Sequence, residues 1–246
     1  MTQTAGNFEI SCSCCGNAPH LPGRGLTSRR GFIATGLAAG VAVAGSSILP
    51  RRGWAQTTMS PDAALQALLD GNKRFVGKKL TSFGADVAAL RKNTADKQEP
   101  FAAVLSCADS RVPVELVFDQ SIGQIFVTRV AGNLATPEII ASLEYGAAVL
   151  GTRTILVLGH SSCGAVKAAL AGTAVPGQIS ALFSMIRPAV EQSGGDLETA
   201  TKDNAKIHAH ILATASPLLA GMIKDGKLKI AAGYYALDTG QVTILS

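Results

Sequence analysis

A chain of 246 residues with 47% hydrophobic and 16% charged side chains is long enough for one domain with a real core. It is too apolar to be disordered or fibrous. Twenty-two basic residues against 17 acidic ones give a net charge of +5 and a pI near 9.0, a balance that by itself hints at a nucleic-acid or membrane partner. Five cysteines leave an odd thiol, and both hints depend on where along the chain these residues fall.

In chain order, the first feature is Ser28-Arg29-Arg30-Gly31-Phe32-Ile33, which opens a mildly apolar run rich in Gly and Ala that reaches Leu49. Gly53-Trp54-Ala55 then offers the small side chains that a signal peptidase reads. This order is that of an export signal. Paired arginines before a Phe resemble the twin-arginine signal, whose machinery carries folded proteins. Arg51-Arg52 after the apolar run fits the same route, since it would hinder export of an unfolded chain. An uncleaved anchor from Gly31 to Leu49 is the alternative; its Gly, Ser and Thr content makes it a poor one. Residues 1–55 are therefore read as a leader cleaved near Ala55, residues 56–246 as the domain, and the destination as the periplasm or another exported location. Cys12, Cys14, Cys15 and His20 could hold a metal, but with no further ligands nearby they are read as an unstructured start of the leader. Five basic residues and one acid lie in the leader, which leaves 17 basic against 16 acidic residues in the domain. That near-neutral domain gives no reason to expect nucleic acid or, once the leader is gone, a membrane. It keeps two cysteines, Cys107 and Cys163.

Ser60-Pro61-Asp62 reads as an N-cap, a Pro start and a first-turn acid, followed by Leu65, Leu68 and Leu69 at helical spacing, with Gly71 near the end. A second helix is expected around 84–93. Phe101–Ser106 and Ile125–Thr128 read as short buried strands, Thr136–Leu150 as a helix, and Thr154–Leu158 as a third, almost wholly apolar strand. Helices are expected after Ser162, over 179–190, over 202–213 and from Ser216-Pro217; strands are expected over 227–236 and 242–245. Strands alternating with helices define an α/β domain with a mostly parallel sheet flanked by helices.

Two strand ends carry unusual chemistry. The first runs into Cys107-Ala108-Asp109-Ser110-Arg111 and the third into His160-Ser161-Ser162-Cys163-Gly164. Active sites of such sheets gather at the carboxyl ends of strands. If the two strands are neighbours, Cys107, His160 and Cys163 converge as a donor set suited to Zn²⁺, with a fourth position open for chemistry. A disulfide between the two cysteines, and a His160 that merely satisfies the core, are the blander readings. Asp109 and Arg111 are either a surface ion pair worth ~0–1 kcal/mol or a device that keeps the carboxylate ionised, off the metal, and free to orient a metal-bound group.

The pattern Cys107-x-Asp109-x-Arg111 followed by His160-x-x-Cys163-Gly164 resembles the β-class carbonic anhydrases. The likeness extends over the whole domain, through Gly71–Phe75, Arg129, Asn133, Ser142–Tyr145 and Gly233–Gly240. It implies one zinc per chain held by Cys107, His160 and Cys163, an Asp109–Arg111 catalytic dyad, and a substrate site that uses Gln98, Phe126, Tyr145 and the amide of Gly164. It implies a projecting amino-terminal helix that embraces a partner through Leu65, Leu68, Leu69 and Phe75, in a homodimer or dimer of dimers; the same side chains could equally cover their own subunit. Val104 stands where the bicarbonate-inhibited subtype has a Trp, which points to the plant-like subtype, and Ala131 takes the place of the family's pocket valine.

The implied reaction is reversible hydration of CO₂ to bicarbonate and a proton. Zinc lowers the pKa of its bound water to about 7, and two thiolates make that water somewhat less acidic than three histidines would. His208 and His210 lie two apart on a helix and are expected at the solvated surface rather than as proton shuttles. Other readings are a zinc hydrolase acting on carbonyl sulfide or carbon disulfide, a zinc-binding scaffold without turnover, and a disulfide-stapled binding protein.

Overall fold

The computed structural model describes residues 57–246 apart from 83, 85 and 86. The leader, the anchor alternative and the Cys12–Cys15 cluster lie outside the described residues. Helices α1 (Pro61–Val76) and α2 (Val87–Thr94) precede strand β1 (Ala102–Ser106), the four-residue helix α3 (Val114–Val117) and β2 (Ile125–Arg129). Helix α4 (Pro137–Glu144) leads to β3 (Thr154–His160), α5 (Gly164–Ala171), α6 (Phe183–Gln192), α7 (Leu197–Ala215), α8 (Pro217–Lys224), β4 (Lys229–Tyr235) and β5 (Val242–Leu245). The sheet order is β2-β1-β3-β4-β5, parallel except for β5. Among the described residues no helix is long and apolar enough to cross a membrane.

Every residue of β1 and β3 is buried, as their unbroken apolar sequences require of parallel strands covered on both faces. Alternation along the strands divides the core into two layers. Val104, Leu156 and Leu158 face Leu65 and Leu68 of α1 with Val117 and Phe118. Ala103, Leu105, Ile155 and Val157 face Leu143, Ala205, Leu212 and Leu219. Leu69 and Phe75 also pack against the first layer, so the apolar face of α1 covers its own sheet.

Where the structure departs from expectation, tertiary contact is the reason. Helix α1 runs on past Gly71 to Val76. A Cβ on Gly71 would stand 1.8 Å from the Phe118 carbonyl oxygen, so this glycine marks a close backbone approach and not a helix end. The next residue, buried Asn72, donates to Val117 O (3.1 Å) and Gly240 O (2.8 Å) and accepts from Val242 N (2.9 Å), tying α1 to the turn before β5. The helix expected through Leu150 is α-helical only to Glu144 and continues as a π-helical turn over Tyr145–Val149. The stretch expected as one helix over 179–190 begins as a 3₁₀ turn, Ile179–Leu182. Helix α7 starts at Leu197, where the Asp196 side chain accepts from Thr199 N at 2.7 Å.

Candidate active site

Strands β1 and β3 are direct neighbours, with Ser106 opposite Leu158, and this pairing brings two distant sequence segments together. Cys107 follows β1, His160 ends β3 and Cys163 caps α5. Ser162, at φ +54°, takes the left-handed conformation that few non-glycine residues adopt, and so turns the chain between His160 and Cys163. The two Sγ atoms and a ring nitrogen of His160 lie within 4.8 Å of one another, all three residues are buried, and both cysteines are free.

His160 Nδ1 lies 3.0 Å from the Ser161 carbonyl oxygen, which can only accept, so this contact assigns the proton to Nδ1. Nε2 is then a bare acceptor, buried and without a protein partner. Such an atom is costly unless something fills its lone pair. Together with two thiols in reach, it fits a zinc ion. Of the two thiols Cys107 ionises first: the hydrogen bond from Cys163, and after it that from the Gly132 amide, bring it well below the usual thiol range against the opposing effect of burial. Cys163, the donor of that bond and itself buried, is pushed up. A bound dication would draw both into the thiolate form.

Beside this cluster Arg111 grips Asp109 as a fork, Nε to Oδ1 at 2.9 Å and Nη2 to Oδ2 at 2.7 Å, while the Arg111 amide donates to Oδ1 at 2.9 Å. Arg111, through its side-chain fork first and its backbone amide after it, holds the carboxyl of Asp109 well below the usual carboxylate range. Asp109 Oδ2 stands 3.9 Å from His160 Nε2, next to the metal position yet restrained from it. Arg111 Nη2 also donates to Ser162 O at 3.2 Å. Arg129, at the end of β2, donates to Cys107 O (2.9 Å) and Asp109 O (2.6 Å). Its holding role was not read from the sequence; a basic residue ending the strand beside the metal loop was the available signal.

Gly164, the first residue of α5, is exposed beside Cys163, and Ala131 adjoins Gly132, whose amide donates to Cys107 Sγ at 3.3 Å. The remaining expected substrate residues lie elsewhere in this chain. Phe126 is opposite Ala103, four residues before Cys107 and so ~13 Å away along the strand at roughly 3.3 Å per residue. Tyr145 is 45% exposed, its ring centroid 6.4 Å from that of Phe126. Gln98 is exposed in the loop before β1, lining a cavity of about 420 Å³ with Thr94, Lys97 and Ile122. Of the two histidines expected at the surface, His210 is exposed but His208 is fully buried. It lies on the core face of α7 with Ala205 and Leu212, and burial lowers its pKa to about 4.

A two-cysteine, one-histidine cradle with a guarded carboxylate, at the carboxyl ends of adjacent parallel strands, defines a metal-dependent α/β enzyme. Residues 102–242 match the family model described as carbonic anhydrase. Carbonic anhydrase 2 of Mycobacterium tuberculosis is 36% identical over 193 residues, covering 75% of this chain and 93% of that protein. A carbonic anhydrase of Mycolicibacterium smegmatis is 47% identical over 113 residues, covering 45% of this chain and 53% of its own length. Among solved structures, the Coccomyxa β-carbonic anhydrase in complex with acetazolamide is similar at a TM-score of 0.59 and 28% identity, covering 74% of this chain and 86% of that one. The chain belongs to the β-class carbonic anhydrase family, and its cofactor is zinc.

Proposed function

We infer that this enzyme interconverts CO₂ and bicarbonate at the Cys107–His160–Cys163 cradle. The observation that carries the reading is the buried, unpartnered His160 Nε2 converging with two free thiols beside the Asp109–Arg111 fork. Zinc held there supplies an activated water near neutral pH. Asp109, kept ionised by Arg111, accepts a hydrogen bond from the attacking group and orients it. Arg111 keeps the same carboxylate from swinging in to fill the open position. The Gly164 amide at the start of α5 presents a donor to bicarbonate. Arg129 fixes the backbone of both Cys107 and Asp109, so the dyad and the first ligand keep one geometry.

Three finer readings accompany this one. Val104 lies at 0% exposure in the core where a Trp would mark the bicarbonate-inhibited subtype, which supports the plant-like assignment. Gln98, Phe126 and Tyr145 lie on or beside the open β2 edge and apart from their own chain's ligands. A second copy docked there would supply its site with these side chains, in a homodimer or dimer of dimers. Residues 1–55 act as a twin-arginine leader that delivers the folded domain to the periplasm. Arg29→Lys with Arg30→Lys should hold the protein in the cytoplasm; unchanged delivery in cell fractionation would remove the export reading. For the activity, stopped-flow CO₂ hydration with a pH indicator across roughly pH 6.5–9, bracketing the ~7 of a metal-bound water, is the deciding measurement. Zinc-loaded protein with no hydration above the uncatalysed rate would sink it.

A further inference from the structure

We propose that Asn204 and His208 on α7 are positioning residues that set the Gly132 amide onto the sulfur of Cys107 and thereby tune the metal. This rests on Cys107 being a zinc ligand. Both side chains are fully buried, and at four residues apart they share one helix face. Each spends a polar atom on the same loop. Asn204 Nδ2 donates to Gly132 O at 2.8 Å, and the Ala135 amide donates to His208 Nδ1 at 3.1 Å. Between those two anchor points the loop passes through consecutive left-handed residues, Gly132 at φ +80° and Asn133 at φ +49°. Glycine takes this conformation freely and Asn more readily than most residues, so the two anchors can select it at little cost. Its product is the 3.3 Å contact from Gly132 N to Cys107 Sγ.

An N–H aimed at a thiolate draws charge from the sulfur, so the sulfur donates less to its metal and the metal remains a stronger Lewis acid. The accepting role of His208 Nδ1 places the proton of this neutral imidazole on Nε2, a buried atom with no hydrogen-bond partner among the described residues. Two buried polar side chains on the core face of an otherwise apolar packing surface would be poor choices for packing alone. Their convergence on the loop that touches Cys107 gives them a common purpose, reached through the backbone and not through contact with substrate.

Cobalt(II)-substituted full-length domain provides a readout other than turnover, the thiolate-to-metal charge-transfer band. Asn204→Ala and His208→Leu should each move that band to longer wavelength. Each should also weaken metal retention against a competing chelator by about 10–100-fold and move the pH midpoint of CO₂ hydration upward. His208→Asn, whose side-chain oxygen can still accept from the Ala135 amide, should restore the wild-type band. Asn204→Asp, the same shape without the donating amide, serves if the alanine variant does not fold. Folded variants with unchanged band, retention and midpoint overturn the proposal, as does a His208→Asn protein that behaves like His208→Leu. Wild-type protein that binds cobalt with no thiolate band would instead remove the ligand assignment on which the proposal stands.

Discussion

The metal end of β1 and β3 and the outer edge at β2 are built on opposite plans. At the first, the groups around the ligands are held from within the chain: Arg111 binds Asp109 and Ser162, Arg129 binds Cys107 and Asp109, and Gly132 binds Cys107. At the second, Tyr145, Val149 and Ile122 are each at least 40% exposed, next to a strand with no neighbour on one side. One chain thus brings the metal ligands and the guard carboxylate together by itself, while Tyr145, assigned to substrate, remains on a surface that faces outward. The metal ligands come from the single chain; under the proposed docking of a second copy, the substrate wall would come from the assembly.

The largest expected effect is at the self-sufficient end. Cys107→Ser or Cys163→Ser should lose zinc and CO₂ hydration together, because two donors and a water do not make the closed set that retains zinc. Metal analysis beside the stopped-flow assay checks it, and a zinc-free variant with full activity would end the assignment. Asp109→Ala should keep its zinc and lose turnover by about 10²–10⁴-fold, the range of a positioned proton acceptor; normal turnover would leave the dyad without its role. At the open edge, Tyr145→Ala should leave zinc content intact, shift sedimentation toward smaller species and lower kcat/KM by about tenfold, ~1.4 kcal/mol. Metal loss in that variant would break the contrast between the two regions. A separate effect is on stability, with no change in chemistry. The buried His208 has its pKa lowered to about 4 from an ordinary 6.5, so the unfolded chain binds the extra proton first as pH falls. Its contribution is complete above about 6.5 and is lost progressively down to about 4, a change of at most ~3 kcal/mol. Denaturant unfolding across that window should show it, and His208→Asn should flatten the slope.

The ligand set was legible in the sequence because it sits on strand ends, where an apolar run stops abruptly at chemistry-bearing residues. The α/β class was legible for the same reason, since β1 and β3 advertise burial on both faces. What escaped was set by contacts between segments. Gly71 looks like a helix terminator until Phe118 is seen pressed against it. The π turn at Tyr145 has no local signature, while Gly146 beneath the Phe126 ring does have a packing reason. His208 was read beside His210, whereas its true companions are Asn204 and Ala205 one turn before it and Leu212 one turn after it, a helical stripe of buried residues. The spacing of that stripe, and not the closeness of two histidines, is the signal in the sequence that buries His208.

The adjacency of β1 and β3 also has a meaning in time. More than fifty residues separate Cys107 from His160, and nothing local brings them together; only the completed parallel pairing does. The cradle therefore exists only once that long-range pairing, of a kind that is intrinsically slow to form, is in place. Metal captured there stabilises the assembled sheet over every earlier state by mass action. Zinc occupancy becomes a stamp that this chain has finished folding, and a chelator present during refolding should slow or reverse the final step while leaving early helix formation untouched.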